Sequence, residues 1–123
     1  MRLLTVCLLL LASPALAEKF AYRCPHSGAY VYVSFDDVKK QTVVETAAGQ
    51  LVRGHILEDT PERIHFNLLQ GAHSKPYDLT LNRLTNTFLK DEQERMFGGT
   101  ACEKVSARPA LDKYDDIWPP LSK

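Results

Sequence analysis

"AYVYVSFDD", Ala29–Asp37, decides how this chain is to be read. Val31, Val33 and Phe35 fall on one side of an extended backbone. Tyr30, Tyr32, Ser34 and Asp36 fall on the other. A period of two is the signature of a half-buried β-strand, where alternate side chains face core and solvent.

The same alternation recurs on both sides of it. "KFAYRC" precedes it, across the turn "PHSG". "QTVVETA", "LVRGHILE", "RIHFNLL", "YDLTLNRL", "TFLKD" and "GGTACEKV" follow, separated by "DDVKK", "AGQ", "DTPE", the polar "QGAHSKP" and the tight turn at Thr85-Asn86. Asn86 suits a left-handed turn position. "DEQERM" reads equally as one helical turn or a frayed edge. Short strands with short links predict an all-β fold, a small antiparallel meander of about eight strands. Closure into a barrel, full or nearly so, removes exposed edges, and a two-sheet sandwich is the alternative.

The chain opens with MRLLTVCLLLLASPALA. Arg2 is followed by an apolar run, Leu3 to Ala12, interrupted by Thr5 and ended by Ser13-Pro14. Ala15-Leu16-Ala17 has the small-x-small form of a cleavage site, so residues 1–17 read as a secretory signal peptide. The run is too short to span a bilayer, which takes about 20 residues. Residues 18–105 are then the antiparallel β domain. Residues 106–123, with three prolines, form an extended C-terminal tail. The expected setting is periplasmic or secreted, with no membrane attachment after cleavage.

Losing the leader removes Cys7 and leaves Cys24 and Cys102, an even pair in an exported chain. A Cys24–Cys102 disulfide is expected, tying the first strand to the last. Lysine plus arginine and aspartate plus glutamate each number 15 in the full chain. Net charge therefore offers no pull toward nucleic acid.

Chemistry-bearing residues are sparse. Folded about Thr60, "LVRGHILEDTPERIHFNLL" sets His55 opposite His65 on the polar face. Val52, Gly54 and Ile56 then meet Leu68, Phe66 and Ile64 on the apolar one. Two imidazoles fall short of the three or four ligands of a zinc site, so a solvated pair is expected. Asp36 and Asp37 read as turn aspartates, and Tyr30 and Tyr32 as a contact surface or a second small core under the tail. No phosphate loop, nucleophile elbow or cysteine-rich metal pattern occurs. Neither a cofactor nor an enzymatic activity is expected.

The leader, "YRC" at Tyr22–Cys24, "YVYVSFDD" at Tyr30–Asp37, the run of hairpins and the late Cys102 together form a frame. That frame, over Phe20 to Cys102, resembles the small bacterial periplasmic inhibitors of C-type lysozyme. The resemblance implies an eight-stranded antiparallel barrel whose loop residues enter an enzyme cleft. The strand motif of that family, with its tryptophan, lysine and glycine, is absent, and Trp118 lies in the tail.

Two function classes remain. One is a non-enzymatic binding protein, an inhibitor of a secreted hydrolase such as lysozyme. Its contact would be the loop tip His73, Ser74 and Lys75, flanked by Tyr77, with Trp118 as a further anchor. The other is a small-barrel carrier of an apolar ligand. A short barrel is expected to fill itself with its own side chains. A cavity of several hundred cubic ångströms inside it would put the carrier first.

Overall fold

The computed structural model describes residues 18–69 and 77–117. They form one curled antiparallel sheet: β1 (Lys19–His26), β2 (Ala29–Asp36), β3 (Gln41–Glu45), β4 (Leu51–Asp59), β5 (Arg63–Leu69), β6 (Tyr77–Asn82), β7 (Thr87–Lys90), β8 (Glu94–Arg95) and β9 (Glu103–Ser106). The first eight are neighbours in chain order, and β9 returns to pair with β1. The all-β meander is thus as the alternation indicates. The extra strand, β8, comes from the ambiguous "DEQERM".

The sheet is an open half-barrel with β8 and β9 as its edges. Its margins still approach each other. Tyr22 of β1 meets Phe88 of β7 with ring centroids 6.1 Å apart. The Cys102 N–H donates to the Asn86 carbonyl at 2.7 Å. Cys24 and Cys102 are disulfide-bonded, their Cα atoms 4.5 Å apart. Disulfides belong to oxidising compartments. Among the described residues no helix is long and apolar enough to cross a membrane.

Local chemistry sets each turn. Ser27 and Gly28 both have positive φ (51° and 82°), the requirement of a two-residue primed hairpin turn. Asp36 accepts from the Val38 and Lys39 N–H groups at 3.0 and 3.1 Å, and so folds the β2–β3 turn. Asn86 takes φ 60°.

The β4–β5 register corrects the symmetric hairpin expected from sequence. The Thr60 N–H donates to the Arg63 carbonyl, with Pro61 at the second position of the turn. The turn is therefore centred beyond Thr60. Pairing runs Asp59↔Ile64 and Glu58↔His65, then shifts across a bulge at Leu57 to Ile56↔Phe66 and His55↔Asn67. Leu57 is expelled to 53% exposure. The combined displacement is even at Ile56 and beyond, so the inward face survives: Ile56, Ile64, Phe66 and Leu68 are all core.

Residues beyond β9 also depart from expectation. The segment expected to be extended coils into a 3-10 helix, Pro109–Asp116, with Pro109 in its first turn. Ala110, Leu111, Tyr114 and Ile117 cover Val43 on the outer face. Burial of that apolar set is what coils the segment. Arg53, 5% exposed, donates from Nη1 to the Tyr114 carbonyl at 2.9 Å, and the Tyr114 hydroxyl donates to the Gly54 carbonyl at 3.0 Å.

Candidate functional site

The concave face has two unlike ends. Toward the turns after β2, β4 and β6 it is filled by aromatic rings. Phe35 lies tilted against Phe20 (5.5 Å between centroids) and stands edge-on to Phe66 (5.1 Å), which in turn meets Phe88 (6.1 Å). Such offset and edge-to-face rings pack densely. Burial holds the Tyr22 hydroxyl above its usual titration range, with the Arg83 charge opposing and Glu18 adding slightly.

Toward the other end the inward residues shrink to aliphatics. Val31 and Val33 of β2, Val44 of β3 and Val52 of β4 form one wall. Leu68 of β5 and Leu79 of β6 form the next, and Phe88 and Met96 the third. They surround a cavity of about 490 Å³. Its polar contributors are few: His26, Thr46, Gln50 and Tyr77. Phe97 leans over it, edge-on to Phe88 at 5.9 Å and to His26 at 6.1 Å. Small-molecule sites are typically concave, mostly apolar and about 300–1,000 Å³.

Of the residues expected to meet a partner, His73, Ser74, Lys75 and Trp118 lie outside the described residues. Tyr77 opens β6 and lines the cavity, with the Lys90 ammonium 4.4 Å from its ring centre. The two histidines are not neighbours. His55 faces Asn67 across the ladder and sits 6.4 Å from the Tyr114 ring. His65 has Nε2 3.5 Å from Asp78 Oδ1. Among the described residues no three His, Cys, Asp or Glu side chains gather as a metal site would require.

On the tyrosine face, Tyr30 and Tyr32 each carry a guanidinium of the chain itself on the ring, while Tyr30 stays half exposed. The Arg23 guanidinium lies 4.9 Å from the Tyr30 ring centre, and that of Arg108 3.8 Å from Tyr32. Arg108 also grips Glu45 through two bonds, 2.9 and 3.0 Å. Asp36 and Asp37 serve the turn and the start of β1, Asp37 accepting the Glu18 N–H at 3.1 Å.

His26, Val44, Met96 and Phe97 are cavity residues that the sequence reading did not single out. One signal was present in the strands: inward residues run Val31, Val33, Phe35 along β2 and Leu68, Phe66 back along β5. Each series passes from aliphatic to aromatic in the same spatial direction once the strands are paired. No protein-family model, no curated protein and no solved structure matches the chain.

Proposed function

We propose that this protein is a binding protein that takes a small apolar ligand into the open end of its half-barrel, in a periplasmic or secreted setting. The observation that carries the reading is the 490 Å³ cavity on the concave face. The space opens to solvent at one end yet its walls are mostly apolar, and an apolar ligand seated there would take that surface out of water. The leader-like residues 1–17 and the disulfide support the setting. The inhibitor reading rests on His73, Ser74, Lys75 and Trp118, and no described contact adds to it.

The test is a fluorescence titration of residues 18–123 with N-phenyl-1-naphthylamine, a neutral probe that brightens in apolar surroundings. Saturable, one-to-one binding is expected. Each buried methylene contributes about 0.8 kcal/mol, so competing n-alcohols should tighten roughly fifteenfold for every two carbons added until the cavity is full. The double substitution Val44→Phe/Val52→Phe, on adjacent cavity-lining positions, should abolish binding without lowering the melting temperature. Absence of saturable probe binding by the unsubstituted protein would overturn the reading.

A further inference from the structure

We infer that the ligand is a single-chain amphiphile with an anionic head, its chain in the apolar cavity and its head in an adjoining polar cleft. The inference rests on the cavity reading above. The cleft, about 560 Å³, is bounded by Ser27, Gly28 and Tyr30 of the first hairpin and by Gly98 and Thr100 before β9. His26 and Phe97 line both spaces, so the two adjoin across that one pair of rings.

The spaces differ in chemistry. The cavity is walled by valine, leucine, phenylalanine and methionine. The cleft offers the Ser27 and Thr100 hydroxyls and the His26 imidazole. A chain continuing past Phe97 therefore passes from apolar walls to hydrogen-bonding groups within one residue. Phe97 holds φ 57°, a left-handed backbone that bulky residues rarely adopt, and Gly98 and Gly99 follow at 66° and 79°. The surrounding fold thus fixes this ring at the boundary. Strained backbone of this kind tends to cluster at ligand sites.

Charge selects the head. Neither space has an aspartate or glutamate among its described lining residues. Each has a cation stacked on a lining tyrosine: Arg23 on Tyr30 at the cleft, Lys90 on Tyr77 at the cavity. Arg23 is shared with Glu103, whereas Lys90 makes no ion pair among the described residues. Glu103 is the carboxylate beside the cleft and is held by Arg23, so a cationic head would have to compete for it, whereas an anionic one finds the Lys90 ammonium over Tyr77 and the hydrogen-bonding groups of the cleft.

Three ten-carbon probes separate the possibilities: decanoate, decanol and decyltrimethylammonium. Each is titrated calorimetrically at low salt, below its micelle-forming concentration. Decanoate should bind at least tenfold tighter than decyltrimethylammonium. Lys90→Glu and His26→Ala, both at positions outside the packed core, should each shrink that preference at least threefold, and Lys90→Glu, at a position that lines neither space, should leave decanol binding within twofold. Equal or tighter binding of the cationic probe, with decanol still bound, would overturn the head assignment and leave the cavity reading standing. Binding of none of the three would overturn both. An anion preference that neither variant alters would overturn the proposed placement of the head. The three-probe comparison on the unsubstituted protein does not depend on any variant folding.

Discussion

Replacing both bonded cysteines, Cys24→Ala/Cys102→Ala, tests what holds the half-barrel's margins together. The bond joins β1 to the segment entering β9 across a sequence separation of 78. For a loop of that length, the chain-entropy relation gives about 15 cal/mol/K, or about 4.5 kcal/mol at 25 °C. Native contacts around the bond should survive its loss. β1 and β9 remain paired from Phe20↔Ser106 to Arg23↔Glu103, and Cys102 N–H still reaches the Asn86 carbonyl. Residue 24 also lies within the buried core, where the lost sulfurs leave a small void. The variant should therefore fold, with urea unfolding showing a loss of about 4 kcal/mol. At roughly 4–8 °C per kcal/mol for a domain of this size, its melting temperature should fall about 15–30 °C. A loss under about 1 kcal/mol would refute the loop-closure reasoning. It would mean that the unfolded chain is already held compact without the bond. A changed urea slope would move the explanation into the denatured state. In the unsubstituted protein, residues 18–123 unfolded without reductant should show no reactive thiol.

Two further perturbations probe the scaffold behind the cavity. Gly54→Ala would set a Cβ into the Asn67 backbone carbonyl of β5, and no flexible side chain can yield there. A loss of about 3 kcal/mol or more in urea unfolding is expected, and one within 0.5 kcal/mol would contradict the close approach. Tyr22 and Tyr114 are both held above the usual tyrosine range, chiefly by burial. An acid whose folded-state value is raised keeps its full contribution below its unfolded value near 10. Stability should thus decline as pH rises from about 10 toward the folded-state values. Tyr114→Phe should make that decline shallower and, by removing the bond to the Gly54 carbonyl, cost about 1 kcal/mol at neutral pH. An unchanged high-pH slope would show that Tyr114 is not the group responsible.

Much of the fold was legible because it follows from alternation. Val31, Val33 and Phe35 are buried, and the strands follow in chain order. The Cys24–Cys102 pairing followed from cysteine arithmetic once residues 1–17 are read as a leader. The β4–β5 register was not legible, because two local events compete with symmetry. Pro61 draws the centre of the turn to between itself and Glu62, and the bulge at Leu57 shifts the ladder again. The pattern of apolar residues fixes which face is inward, and it is blind to even slips that preserve the face. The coiling of Pro109–Asp116 was hidden for a different reason. Its apolar residues are few, and they coil only because Val43 and the half-buried Leu51 give them a surface to cover.

The candidate site was hidden because a cavity is a property of differences between strands. No single strand shows it: Val44 reads as an ordinary core valine, and Val52 as another, on the apolar face with Gly54 and Ile56. Only when β2 to β5 are set side by side do Val31, Val33, Val44, Val52 and Leu68 gather at one end, beside Tyr77 of β6. The rings at the opposite end come out large together, and with Phe20 they account for the filled half. The cavity and the aromatic plug thus lie at the two ends of a gradient that β2 and β5 share, from Val31 and Leu68 to Phe35 and Phe66. The gradient also makes the stabilising and the binding residues separable. Substitutions at Phe35 or Phe66 should act through stability, and those at Val44 or Val52 through occupancy of the open end.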